Sequence, residues 1–164
     1  MENKNFTVTD DLLASKGQRF LNFIIDLVII YVIEISIGTT LILIADITNS
    51  PGLSESVESL GIIEQILFGV IILILYYSFS EIYFSRTFAK YFTKTMVVLN
   101  DGSKPDNRTV FARTFCRLIP IDPFTFLGSN PRGWHDTISS TYVVSKHEFV
   151  EKRKLFFEEI GGEL

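Results

Sequence analysis

Arg19, Asn22 and Asp26 stand three and four positions apart, so on a helix they project from one side. Asp26 falls inside an apolar run, where a carboxylate costs several kcal/mol unless it is paired, hydrated or protonated. Glu81 closes a second apolar run. If the two runs form an antiparallel hairpin, Asp26 and Glu81 meet near the same end of it. Two acids placed there could bind a cation, share a proton, or pair with arginines of the following segment. Glu34 lies eight residues beyond Asp26, about 12 Å of helix rise. No basic residue is available at that depth, so Glu34 is expected to be protonated or to face a partner subunit. Asp26, Glu34 and Glu81 are therefore the candidate ion or proton groups. A second constellation is Arg132-Gly133-Trp134-His135-Asp136. Histidine shuttles protons near neutral pH and an aspartate can orient it. Adjacent residues of an extended chain point in opposite directions, however, which argues against a dyad. The expected role is structural: Arg132 and Asp136 exchange hydrogen bonds with charges at the membrane edge, and Trp134 anchors at the interface.

The elements that must hold these groups are two apolar runs, Phe20–Ala45 and Ile62–Phe84, of 26 and 23 residues. At about 1.5 Å rise per residue, each is long enough to cross a hydrocarbon core of roughly 30 Å. All 15 Lys and Arg residues lie outside them, three before the first run and twelve after the second. The connecting segment carries Asp46, Glu55 and Glu58 and no positive charge. The positive-inside bias then puts both termini in the cytoplasm and the acidic loop outside. Met1–Lys16 is polar and mixed in charge, unlike a cleavable signal peptide. A net charge of −4 is too mild to specify a charged partner, and no nucleic acid is expected. One cysteine, Cys116, forms no intramolecular disulfide and no Cys-rich metal framework. Without a phosphate loop, metal cluster or triad signature, neither enzymatic activity nor a metal or other cofactor is expected.

The expected fold class is a mainly α membrane protein: a two-span transmembrane helical hairpin under a cytoplasmic interfacial cap. That cap combines short amphipathic helices with a small two-stranded β-ribbon. The single unit divides into a lead-in (1–18), span 1 (20–45), outer loop (46–61), span 2 (62–84), cap (85–145) and amphipathic tail (146–164). The lead-in Thr9–Gly17 reads as helical up to Gly17, and the outer loop as a turn followed by a helical start at Ser54. After span 2, Arg86, Lys90 and Lys94 recur every four residues, as do Phe84, Phe88 and Phe92. This pattern predicts an amphipathic helix lying on anionic lipid. Thr95–Leu99 and Ser140–Val144 have strand character and are expected to pair. Between them Val110–Ile119 reads helical, with Arg113 and Arg117 on one face. The proline-broken stretch Leu118–Leu127 is too short to span and is placed at the interface.

Taken in order, these residues resemble the RDD family of bacterial membrane proteins. The resemblance rests on Arg19 and Asp26; then Glu81, Lys90 and Val97-Val98; then Arg132, His135, Asp136, Thr141, Val143 and Val144. It spans about residues 14–145. The Arg and two Asp of the family name correspond to Arg19, Asp26 and Asp136. Two departures stand out. The glycine-rich motif after span 2 is reduced to Thr87 and Lys90, and a third span is missing. The resemblance implies a multi-pass protein of the bacterial inner (cytoplasmic) membrane. It says little about activity: most members have none assigned, and ion or proton-coupled transport has been suggested for some.

Two readings of function follow. In one, a homo-oligomer carries protons or cations through Asp26, Glu34 and Glu81, since two helices make a poor pore. In the other, the chain is a non-transporting scaffold or accessory subunit whose basic cap binds the lipid bilayer or a membrane partner. The topology common to both is testable with single cysteines, Ser54→Cys and Ser103→Cys, in a Cys116→Ser background. A membrane-impermeant maleimide should reach position 54 only from outside and position 103 only from inside; the reverse pattern rejects the assignment.

Overall fold

The computed structural model describes residues 5–126, 128 and 132–161. The start of the lead-in, Leu127 at the end of the short apolar stretch, the side chain of Ile160 and residues 162–164 lie outside these.

The first apolar run is the body of helix α1, Lys16–Ile47, which begins earlier and ends later than the run. Ser15 sets its start as a capping box: its hydroxyl accepts from the Gln18 amide, and its own amide donates to the Gln18 side chain. Gly17 thus opens the helix instead of ending a preceding one. Among its described residues the lead-in forms one helical turn, a 3-10 turn at Asp10–Leu12. Asn49, at φ 48°, turns the chain out of α1. Pro51 then sits in the first turn of α2, Pro51–Glu58, where its missing N–H costs nothing. Helix α3, Ile62–Phe84, returns antiparallel along α1.

Both α1 and α3 are long and apolar enough to cross a membrane. Between them Ile30, Ile72 and Tyr77 are buried, flanked by Ile33, Ile37 and Phe68. Their outer faces stay open: Leu27, Val28, Tyr31, Ile66, Ile71 and Leu75 are each more than half exposed. Apolar surface this continuous is out of place in water and suits a lipid solvent.

Ser85, in the left-handed region at φ 56°, stops α3, and the chain folds back beneath it. Helix α4, Phe88–Phe92, is followed by strand β1, Thr95–Leu99. Helices α5 (Asn107–Cys116), α6 (Asp122–Thr125) and α7 (Trp134–Ile138) come next. Strand β2, Thr141–Ser145, and helix α8, Lys146–Gly161, close the chain. The two strands pair antiparallel, Thr95 opposite Ser145 and Leu99 opposite Thr141, as the two β-branched runs predict.

Both faces of this ribbon are covered, which explains why alternate residues on either side are apolar. One face, Val98 and Val144, packs on Phe6, Val8, Leu12 and Phe149 from the lead-in and α8. The other carries Val97 and Val143, against Ala14, and also Thr95 and Thr141. The lead-in is tied to the ribbon by backbone bonds from Val8 to Asn100 and from Ala14 to Val143, 2.8 and 2.9 Å.

The expected basic helix after span 2 does not form as predicted. Ser85 breaks it from α3, leaving five residues, and Lys90 turns inward, 4% exposed. Phe88 and Phe92 point outward, while Arg86 stacks on Tyr91 at 4.1 Å. The outer face of α4 is thus aromatic, because Lys90 has a buried carboxylate to meet.

Gly102 ends the turn after β1 at φ 74°, and an added Cβ would lie 2.9 Å from the Phe6 ring and 3.1 Å from Phe149. Gly102→Ala should therefore destabilise the fold by about 2 kcal/mol, combining the left-handed backbone penalty with overpacking. Chemical denaturation of the purified protein in detergent measures this; an unchanged midpoint would mean that the turn relaxes freely.

Candidate functional site

Where the hairpin meets the cap, polar side chains from eight elements converge below the apolar part of α1 and α3. Glu81, on the last turn of α3, is fully buried. It accepts from Arg113 Nε at 2.9 Å, from Arg117 Nη2 at 2.7 Å and from Lys90 Nζ at 3.3 Å. Helix α5 aims both arginines at it because positions 113 and 117 lie one turn apart on one face. Asp106 caps that helix by accepting from the Thr109 amide. Arg117 also lies flat over Tyr77, 4.0 Å from the ring centre. Burial alone would lower the Arg117 pKa, but the Glu81 charge outweighs it and holds the guanidinium more firmly protonated. For Lys90 burial prevails, and its pKa falls below the usual lysine value despite Glu81 and Asp26.

Asp136, on α7, is the second anchor. One oxygen accepts from Arg19 Nη1 and the other from Arg113 Nη1. Burial opposes its ionisation, yet the Arg113 and Arg19 guanidiniums hold its pKa well below the carboxylate range. Arg113 is thus shared between Glu81 and Asp136, and it also donates to Thr141 Oγ1. Arg132 donates to the backbone oxygens of Asp136 and Thr141, at 3.3 and 3.1 Å, and its guanidinium lies over Tyr142. These bonds hold the turn between α7 and β2.

Asp26 is bound by hydroxyls. Tyr76 donates at 2.6 Å and Thr87 at 2.8 Å. Thr87 in turn accepts from Lys90 at 3.4 Å, linking Asp26 through Thr87 and Lys90 to Glu81. The two acids are thus joined through a threonine and a lysine, and among the described residues no arginine pairs with Asp26. One turn below, Asn22 accepts from Thr93 at 2.6 Å and donates to Thr95 at 3.1 Å, fastening α1 to the ribbon.

His135 and Asp136 are closer than an extended chain would allow, because α7 is a helix. His135 Nε2 lies 3.4 Å from Asp136 Oδ1. On its other side, Nδ1 is 2.5 Å and the backbone amide 2.8 Å from the two oxygens of Asp122. Burial is the larger influence on His135 and lowers its pKa despite both carboxylates. The imidazole is therefore neutral at pH 7, with Nδ1–H donating to Asp122.

Counting charges, Arg19, Lys90, Arg113 and Arg117 face Asp26, Glu81, Asp122 and Asp136, so with His135 neutral the cluster sums to zero. Of the residues singled out from sequence, Arg19, Asn22, Asp26, Glu81, Arg132, His135 and Asp136 are gathered here. Glu34 is not. It lies about 12 Å further along α1, half-buried, with its carboxyl against Gly69 of α3. A methyl group at position 69 would come within 3.1 Å of it.

Sequence reasoning missed Asp122, and did not assign Lys90, Arg113, Thr87 and Tyr76 to a site. The shared face of Arg113 and Arg117 was the available signal. Asp122 gave none, since an Asp-Pro pair in an apolar stretch reads as a turn.

The sequence matches the RDD family over residues 13–145. The chain belongs to the RDD family. No curated protein and no solved structure matches it. The family match and the two apolar helices together make this RDD protein an integral membrane protein. The cluster gathers Arg19, Asp26 and Asp136, all within the matched region.

The neutral state of His135 gives a pH prediction. An unfolded chain takes up a proton near pH 6.5, whereas the folded protein resists it, so stability should fall as pH drops below about 6.5. The slope of the loss cannot exceed about 1.4 kcal/mol per pH unit, the linkage of one proton, and it levels off below the folded-state pKa. Asp136 contributes only at more acidic pH, its pKa being lowered from 3.8. Thermal melts should show this slope in wild type and in His147→Gln, and a flatter profile in His135→Gln; equal slopes in all three would place the titration elsewhere.

Proposed function

We propose that this protein is a non-transporting membrane scaffold or accessory subunit of the bacterial inner membrane. Both long helices cross the bilayer, and both termini are cytoplasmic. One observation carries the reading: Glu81, the acid placed best for ion exchange, is already enclosed by Arg113, Arg117 and Lys90. A metal cation approaching it meets three positive charges, and a proton competes with two guanidinium bonds. Asp26 is likewise committed to Tyr76 and Thr87. A charge-balanced cluster of this kind fixes the cap on the hairpin.

The cap then offers its outer face to a partner or to lipid. Three of its basic residues are used internally, so its surface charge is closer to neutral than the sequence count implied. What remains prominent is a set of exposed aromatics, Phe88, Phe92, Phe115, Phe124 and Trp134. Such rings favour the membrane interface, where apolar area and polar edges are both solvated.

Glu34 supports the second reading. It sits deep in α1 and, among the described residues, forms no hydrogen bond or ion pair. An oligomer lining a path with Glu34 could carry protons against cations. Liposome reconstitution with an internal pH-sensitive dye separates the readings. The scaffold reading expects no proton flux on adding Na⁺ or K⁺ to folded, correctly inserted protein at pH 6–9. Cation-dependent flux that disappears in Glu34→Gln, with assembly unchanged, would replace it with transport.

A further inference from the structure

A cavity of about 90 Å³ lies between α1, α3 and the cap. Its polar side includes four cationic residues, Arg19, Lys90, Arg113 and Arg117, but only two carboxylates, Asp26 and Asp122. Glu81 and Asp136, which balance the cluster as a whole, do not line it. Cationic groups therefore outnumber carboxylates on the lining itself. The opposite wall is apolar, with Phe23, Leu27, Ile30 and Leu73.

Two arginines on this wall have unused donors. Arg19 gives Nη1 to Asp136, while its Nε and Nη2 are buried and meet no acceptor among the described residues. Arg113 uses Nε and Nη1, while its Nη2 is likewise buried and unpartnered. Nε and Nη2 form one edge of a guanidinium, the planar fork that takes a carboxylate or phosphate with two parallel hydrogen bonds. Leaving such donors unmet costs about 1–3 kcal/mol each, more for a charged group. Arg19 is 5% exposed and Arg113 fully buried, so bulk solvent does not relieve that cost.

We propose that this cavity is a binding site for one compact oxyanion, a carboxylate or phosphate group, held by the free edge of Arg19 with Arg113 Nη2 and Lys90 alongside. The volume is several times what one water needs, about 10–15 Å³, and below the roughly 150 Å³ that admits benzene. It fits a headgroup or small ion and excludes larger solutes. The apolar wall, continuous with lipid-facing Leu27, lets an attached acyl chain leave along α1. The anion is thus either free or the head of an anionic lipid. The site is independent of whether the chain transports anything.

The full-length protein in phosphatidylcholine nanodiscs supplies the test, with thermal stability followed during titration. Acetate and inorganic phosphate are the free-anion probes, chloride at equal ionic strength is the control, and phosphatidylglycerol mixed into the disc is the lipid probe. The expected result is a saturable rise in Tm with one of these. A response to acetate or phosphate identifies a free anion, and a response to phosphatidylglycerol alone identifies a headgroup. Arg19→Lys, which keeps a cation for Asp136 but loses the fork, should weaken binding at least tenfold. Leu27→Trp fills the cavity from its lipid side without touching the charge network and should abolish binding in a folded protein. No saturable response to any probe, or equal affinity in Leu27→Trp, overturns the proposal and leaves water as the only occupant.

Discussion

Burying the carboxylate of Glu81 is the constraint on which the rest of this structure depends. A charge removed from water carries a penalty of several kcal/mol, and in hydrocarbon it is met only by partners that arrive in the right geometry. Here the partners come from α4 and α5, both remote from Glu81 in the fold until the chain reverses at Ser85. Arg113 brings a second demand, since its other nitrogen needs Asp136, and Asp136 in turn holds Arg19 at the foot of α1. Positioning one acid therefore sets where α5, α7 and α1 sit relative to α3.

Hydroxyl groups fill the gaps that charges leave. Thr87, Thr93, Thr95, Thr141 and Ser139 are all buried at this junction. Each can donate and accept at once, so a threonine can join a carboxylate to an ammonium, as Thr87 does between Asp26 and Lys90. The ribbon presents Thr95 and Thr141 toward α1 and α5 because alternate strand positions share a face. Its other face is apolar and seals against the lead-in and α8. A two-stranded ribbon is marginal alone; here one face is fixed by packing and the other by the polar junction.

This arrangement bears on function through what it leaves unused. The acids nearest the cap are paired in place, Glu81 with Lys90, Arg113 and Arg117, and Asp136 with Arg19 and Arg113. Among the described residues, Glu34 and the free edge of Arg19, with Arg113 Nη2 beside it, leave bonding capacity unfilled. They differ in kind. Glu34 lies further along α1, half-buried against Gly69 of α3. Arg19 opens into a small amphipathic cavity at the polar end of the hairpin.

The sequence determined the two membrane-length helices, since only continuous apolar runs of that length generate them. It also determined the ribbon, through two β-branched runs of matching length, and the one-sided arrangement of Arg19, Asn22 and Asp26, through helical spacing. These are consequences of local periodicity, which sequence carries directly. Who pairs with whom was decided by tertiary structure. Lys90 read as a lipid-facing cation because its neighbours recur every four residues, but the αL turn at Ser85 re-aims it onto Glu81. His135 and Asp136 read as diverging, but α7 is a helix and brings the ring beside the carboxylate. Asp122, which gave no signal, becomes the histidine's partner only because α6 packs on α7. In each case the deciding quantity is the desolvation of a charge at a junction of several elements, and that energy exists only once those elements are assembled.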